Sequence, residues 1–463
     1  MSDVSEDFKF TLKVMINKEK NKVLFAESDS HFVDTLLSFM TLPMGRIIKL
    51  LDNHYGEKAP AIGSLSSLYH SLAHFDSAHF VTKDAKKILL NPRSSFEDKY
   101  RMLKLDFIDC QSTEYLYCFI CSHSHEPRGV SIYYDRPYCR MCLNFSSITK
   151  KDVLKLDFID SKGVFISDKA CFIISDDLQI FPSATGLFRI MSVLCIADMD
   201  EADAIDVTIG LDEILSLLKL SFIIPTPLSF LILNKTSLVL DSGPKTLVSH
   251  NEIQENPEYK KMVLKLAIQK SKSKVLYAQA EEDFVEFLFS FFNIPLGGIG
   301  HLLAGKTCIK AIDNLQRSIA ELIGDKYFKS PDMKMNLMKP NLVHGCVSEK
   351  YILPLNQECL PADDSNNIEF LPSTKFPKGQ GKYLDGPLAY VVMDDLTVTP
   401  LCIHSIVSSL QEKNIPMSDV EEMELQVGLK EALSILKASL TSTSALTDAL
   451  LNSMPIKHPK REV

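Results

Sequence analysis

No excess of positive charge runs through this sequence, and that absence weighs against one class of function at once. Its 463 residues carry 50 Lys and Arg against 59 Asp and Glu, a formal net charge of −9 with a pI near 5.8. A sequence-independent nucleic-acid binder gains affinity by releasing counterions along a basic stripe, so this balance argues against one. The segment Met1–Phe8 is acidic, without the basic and apolar regions of an export signal or the acid-poor character of a transit peptide. The most apolar stretch, Ile214–Leu233, holds Lys219, Pro225 and Pro227, and its counterpart Ala432–Leu451 is full of Ser and Thr. A buried helix followed by a strand is expected in both, not a membrane span. Eleven cysteines, an odd number, form no regular framework outside one cluster. That usage fits free thiols in a reducing compartment. The expectation is a soluble protein, cytoplasmic or nuclear. With 46% hydrophobic and 24% charged residues it is globular, and its length suits two to three domains.

What the sequence does contain is a duplication. Leu12–Leu51 aligns without a gap to Leu264–Leu303, and nineteen of the forty positions are identical, among them Lys13/Lys265, Val23/Val275, Phe32/Phe284, Pro43/Pro295 and Gly45/Gly297. Internal repeats of this kind set the fold before any local reading does. The far ends of the copies also match, at a smaller offset: Ile174–Leu178 with Val392–Leu396, Pro182 with Pro400, Gly210 with Gly428, and Lys219 with Lys437. Most of the difference in length falls where the first copy holds its cysteine cluster.

Local patterns agree between the halves. Thr11–Ile16 and Lys22–Ala26 alternate around the polar turn Lys18–Asn21, which predicts a β-hairpin. Ser28 or Ser30 is expected to cap a helix carrying Phe32, Val33, Leu36, Leu37 and Met40. Pro43 and Gly45 break the chain before a second short helix through Leu51. Ala170–Ile174 and Leu388–Met393 read as buried strands, and Leu211–Leu220 and Leu429–Leu440 as closing helices. Strands and helices in this order give an α+β unit.

The cluster with chemistry is Cys118-Phe-Ile-Cys121, seventeen residues, then Cys139-Arg-Met-Cys142. Two C-x2-C pairs joined by a loop of about fifteen to twenty residues turn four thiolates toward one point and complete a tetrahedral zinc site. Four thiolates leave no open position, so the Zn2+ expected here, one per chain, is structural. His123 and His125 lie in the loop and read as solvated, and Cys110 as a bystander. Arg128, Arg136 and Arg140 beside Tyr133, Tyr134 and Tyr138 could stack on single-stranded bases. The negative charge of a four-thiolate zinc centre offsets them, which favours a protein-facing or purely structural knuckle.

Enzyme signatures are weak. Gly300-His-Leu-Leu-Ala-Gly305-Lys306-Thr307 matches the phosphate-binding loop pattern, but such loops join a strand to a helix N-terminus. The run Phe284–Phe292 before it has helical spacing, and Gly305 falls where a helix is due to end. Tyr390–Asp394 resembles a metal-carrying strand, yet the pattern recurs at Phe172–Asp176 in a copy without any phosphate loop. The repeated pairs Asp176-Asp177 and Asp394-Asp395 are acid/base candidates, with a strand-end turn as the plainer reading. His70, His74 and His79 lie in a helical stretch with no acidic or cysteine partner at useful spacing, so a half-exposed face is expected.

The runs KNKVLFAE (Lys20–Glu27), LLSFMTLPMG (Leu36–Gly45) and VVMDDLTVTP (Val391–Pro400) resemble the plant proteins catalogued as domain of unknown function 674. The resemblance covers nearly the whole chain and includes the paired cysteines. It implies a plant source and a soluble duplicated protein, and it lends no activity. The expected architecture is α+β, two tandem diverged copies of one unit. The first copy, 8–240, carries the zinc-knuckle insertion near 118–142, a linker spans 241–257, the second copy spans 258–454, and 455–463 form a disordered tail. The expected function is a non-enzymatic scaffold or protein-interaction module with an unknown protein partner. The rival is an enzyme, or a nucleotide or small-molecule binder using the cleft between the copies, with nucleotide at Lys306.

Overall fold

In a computed structural model the structure describes residues 9–81, 83–103, 114–118, 128–131, 145–149, 163–167, 170–196, 202–233, 261–322, 324–343, 351–357, 368–370, 382–385 and 389–451. The expected linker and tail lie outside these. The protein is α+β. Five strands of the first copy, Phe10–Asn17 (β1), Lys22–Ser28 (β2), Phe172–Ser175 (β6), Ile180–Pro182 (β7) and Ala202–Ile209 (β8), form one sheet in the order β7-β6-β2-β1-β8. Met262–Gln269 (β9), Lys274–Ala280 (β10), Tyr390–Met393 (β12), Val398–Pro400 (β13) and Val420–Val427 (β14) form the second, in the matching order β13-β12-β10-β9-β14. Both are antiparallel throughout. In β1, Phe10, Leu12, Val14 and Ile16 are buried while their neighbours stay exposed or half-buried, the period-two pattern of a strand with one face on a core.

Each hairpin leads into a first helix, Ser30–Ser38 or Glu282–Ser290. The cap is Asp29, not Ser28 or Ser30: its carboxylate accepts from the N–H groups of His31 and Phe32, both at 3.1 Å, while the Ser28 hydroxyl donates to the Asp29 carbonyl at 2.9 Å. A charged acceptor suits the exposed donors and the positive end of a helix. The second helix runs Met44–Tyr55, a turn beyond the expected end at Leu51. Where a strand was expected before Leu233, the chain forms a second helix, Pro227–Ile232, after the closing helix Leu211–Ile223. Proline is favoured at a helix start, where its missing N–H would have no partner anyway.

The two copies interpenetrate. At the pseudo-two-fold, Pro43 bridges Pro295: the Met44 N–H donates to the Ile294 carbonyl and the Leu296 N–H to the Leu42 carbonyl, each at 3.0 Å. The helices that follow, Met44–Tyr55 and Leu296–Leu302, approach closely. A Cβ on Gly45 would lie 2.9 Å from the Cβ of Phe292, and one on Gly297 would lie 2.6 Å from the Leu337 carbonyl oxygen and 2.9 Å from that of Met40. Beyond this clasp each copy extends an arm helix, Gly63–His74 or Lys310–Glu321, onto the other copy. Ser64 Oγ donates to the Ser442 carbonyl at 2.6 Å; in return the Ser318 hydroxyl accepts from the Ile180 N–H at 2.8 Å, and Lys310 pairs with Asp177 at 2.9 Å.

The arms end in matching bonds to a short strap of the opposite copy. Val81 N–H donates to the Tyr383 carbonyl and Asp385 N–H to that of His79; reciprocally, Lys329 N–H donates to the Phe165 carbonyl and Ser167 N–H to that of Tyr327, all between 2.8 and 3.0 Å. Ring contacts cross the same boundary, from Phe75 to Phe289 and Tyr390 and from Tyr327 to Phe172. The buried apolar residues of both copies accordingly form one continuous core.

A small third sheet, in the order β11-β4-β3-β5, joins Glu114–Cys118 (β3), Arg128–Ser131 (β4) and Phe145–Thr149 (β5) to Ile368–Phe370 (β11) of the second copy, which pairs with β4 in parallel.

Candidate functional site

The four cysteines of the expected zinc centre fall largely outside the described residues. Only the backbone of Cys118 is placed, at the end of β3 opposite Phe145; Cys121, Cys139 and Cys142 lie beyond it. Among the described residues no group of three His, Cys, Asp or Glu could hold a metal ion. His70 Nε2 meets Asp52 at 3.1 Å and His74 Nδ1 meets the His70 carbonyl at 2.7 Å, both at exposed positions. His79 sits in a separate 3-10 turn.

The phosphate-loop match has the opposite geometry to a phosphate site. Gly300 lies inside the helix Leu296–Leu302, where a Cβ would meet Gln316 Oε1 at 2.9 Å, so the glycine serves close packing. Gly305, at φ 68°, ends that helix, its N–H donating to the Gly300 carbonyl at 2.8 Å. This is a C-terminal stop, which presents carbonyls and the negative end of the helix to any anion. Thr307 is buried, and its N–H and hydroxyl both donate to Asp313 Oδ1, at 2.9 and 2.8 Å.

The repeated acids hold the fold. Asp176 accepts from the Ser229 N–H and hydroxyl, both at 2.7 Å, and the same hydroxyl accepts from the Val23 N–H at 2.8 Å. In the second copy the Thr447 N–H donates to Asp394 at 2.8 Å while the Thr447 hydroxyl accepts from the Val275 N–H at 2.9 Å. Each acid therefore ties the end of its unit to the hairpin that begins it, with Lys274 3.4 Å from Asp394. Burial raises the Asp176 carboxyl above its ordinary value despite the Ser229 bonds. Burial also acts on Asp177, but the Ser175 hydroxyl and Lys310 outweigh it and hold that carboxyl low.

Three arrangements escaped the sequence reading. Asp34, within the first helix, is fully buried, and its carboxylate accepts from the N–H groups of Val164, Phe165 and Ile166. Glu286, its partner in the repeat, accepts from Tyr383 and Leu384 at 2.8 and 3.1 Å. These carboxylates fix the two straps on which the exchanged arms rest. An acid at the same place in both apolar helices was the available signal. Second, Arg46 and Glu97 form a buried ion pair at 2.7 Å, a pairing that Gly298 cannot repeat in the second copy. The buried hydroxyls of Thr41, Tyr100 and Ser94 bond one another in the same copy.

The third arrangement is a groove on the outer face of the second sheet, under the helix Ile403–Glu412, with about 450 Å³ of space that opens to solvent. Leu276, Val391, Met393 and Ile406 give it apolar walls, and Tyr277 and Lys413 add polar ones. Cys402 lines it as the residue capping the helix and is exposed. The nearby Ser405 hydroxyl and the N–H groups of Ser405 and His404 favour the charged sulfur and hold the thiol below its ordinary pKa. Thiolates gain reactivity in such surroundings. A cysteine before a helical run is too weak a sequence signal to single this residue out.

A family described as "Protein of unknown function (DUF674)" matches residues 6–428. The chain belongs to that family. The match spans both units of the DUF674 chain, clasp and straps included. No curated protein matches it, and no solved structure does. Among the described residues of this DUF674 protein, no helix is long and apolar enough to cross a membrane.

Proposed function

We propose that this DUF674 chain is a non-enzymatic scaffold for protein partners, working in the cytoplasm or nucleus, with one structural Zn2+ held by Cys118, Cys121, Cys139 and Cys142. The division into units at 8–240 and 258–454, about a linker at 241–257, is part of the reading. One observation carries it: the polar groups repeated in both copies are engaged in holding backbone. Asp34 and Glu286 fix the straps, Asp176 and Asp394 fix the ends of the units, and Glu213 and Glu431 accept from the Gly210 and Gly428 N–H groups at the closing helices. Exposed apolar side chains offer contacts instead, led by Phe188 at 89% exposure and Ile403 at 75%. Lys306, beside a helix C-terminus, lends no support to a nucleotide.

Two measurements test this. Metal analysis of purified protein should return one zinc per chain, lost in the Cys118→Ser/Cys139→Ser variant; wild-type protein without metal under reducing conditions sinks the zinc assignment. Affinity capture with wild type and with Phe188→Asp/Ile403→Asp, at matched thermal stability, should differ by a defined set of partners. Identical captures from both would remove these side chains from the proposal.

A further inference from the structure

We infer that the surface by which each unit receives the other's arm also accepts that arm from a second copy of this chain, giving a closed, reciprocally exchanged dimer. The inference concerns assembly and does not depend on the scaffold reading.

The contacts between the units are symmetric. Clasp, arms and straps form bonds in matched pairs: Met44 to Ile294 with Leu296 to Leu42, Val81 to Tyr383 with Lys329 to Phe165, and Asp385 to His79 with Ser167 to Tyr327. Every one of them joins a residue in 9–233 to a residue in 261–451. They form equally well whether those two units belong to one chain or to two. Two chains in which the first unit of each clasps the second unit of the other satisfy every such bond, and because the exchange is mutual the assembly closes at two copies. The glycines at 45 and 297 make the same point. A Cβ at either would lie 2.9 Å from the opposing copy, at Phe292 Cβ or at the Met40 carbonyl oxygen, so this part of the fit belongs to the paired surfaces; for Gly297 the Leu337 carbonyl of its own copy is nearer still, at 2.6 Å.

What decides between one chain and two is effective concentration. Residues 234–260, which join the two units along the chain, tether them at an effective concentration on the order of millimolar. A folded single chain is therefore favoured in dilute solution. The exchanged dimer forms when two chains fold close together, because an arm already docked leaves only by breaking the clasp and the strap.

The test uses full-length protein carrying a protease site within 241–257, one version tagged at the N-terminus and one at the C-terminus. The two are co-expressed and, separately, denatured together and refolded at about 1 and about 100 μM, well below and nearer to the effective concentration of the tether. Sequential capture on both tags should recover a species of twice the chain mass, more of it at the higher concentration. Cutting the connection should then convert it to particles of single-chain mass, each holding one half from each version, one particle carrying both tags and the other carrying neither. If the species keeps twice the mass after cutting, it is joined through another surface and the inference is wrong. It is equally wrong if cutting lets the halves separate, or if neither co-expression nor joint refolding yields a doubly tagged species.

Discussion

Asp34 concentrates several competing effects in one side chain. Burial pushes its carboxyl from 3.8 up to about 6, although three backbone N–H groups and Lys329 pull the other way. The folded state then holds the proton more tightly than the unfolded chain does. By linkage, the stability this group contributes is complete below pH 3.8 and is lost as the pH rises through about 6. At about 1.4 kcal/mol for each pH unit between those two values, the loss is at most about 3 kcal/mol. Between pH 4 and 6 the wild-type protein should lose stability against an Asp34→Asn variant, read as diverging urea midpoints at constant ionic strength. Parallel profiles would show that Asp34 does not titrate in this range. Cys402 is the second residue with a property of its own. At neutral pH it should be alkylated severalfold faster than the exposed Cys171, Cys195 and Cys308, and Ser405→Ala should remove most of the advantage. Mass spectrometry of a timed iodoacetamide reaction resolves the four sites; equal rates would contradict a lowered Cys402 pKa.

Among the elements, the clasp separates what the sequence disclosed from what it concealed. Pro43/Pro295 and Gly45/Gly297 stand out in the alignment of the copies, yet within one copy they read only as helix breakers. Periodicity tells which face of an element is buried and not what covers it, so the exchange of the arms was not legible in either half. The same limit hid Asp34 and Glu286, polar residues on an apolar face whose partners lie about a hundred residues or more away. Hairpins, first helices and closing helices were legible because each rests on spacing within a dozen residues. The helix at Pro227 was not, since an apolar run with two prolines suits strand and helix starts alike. The glycines support a contrast. Gly297→Ala places a Cβ against backbone oxygens that cannot swing away, and should cost about 2–3 kcal/mol. Gly305→Ala meets no atom within 4 Å and carries only the strain of φ 68°, about 1–2 kcal/mol. Urea midpoints of the two variants check the difference, and equal losses would mean that the clasp yields more readily than its backbone contacts imply.

For the whole molecule, free sheet edges and a shared core pull in different directions. The edge strand β14 exposes Glu421, Glu422 and Glu424, and β8 carries Asp203 and Asp206. Acidic residues along an unpaired edge discourage strand addition from other chains, so charge protects the outer rims while the clasp joins the units inside. Because the buried side chains of both units form one core, and each strap bears the other unit's arm, neither unit retains its contacts once the other unfolds. One cooperative transition is expected despite a length that ordinarily divides into separate domains. Leu36 and Leu288 occupy equivalent, fully buried positions in the two first helices. Truncating either to alanine should cost about 2–5 kcal/mol and move the same single midpoint. Circular dichroism and tyrosine fluorescence should follow it together, since Tyr69 and Tyr100 lie in one unit and Tyr327 and Tyr390 in the other. Two resolved transitions, with Leu36→Ala shifting one and Leu288→Ala the other, would show that the arms dock onto units already stable by themselves.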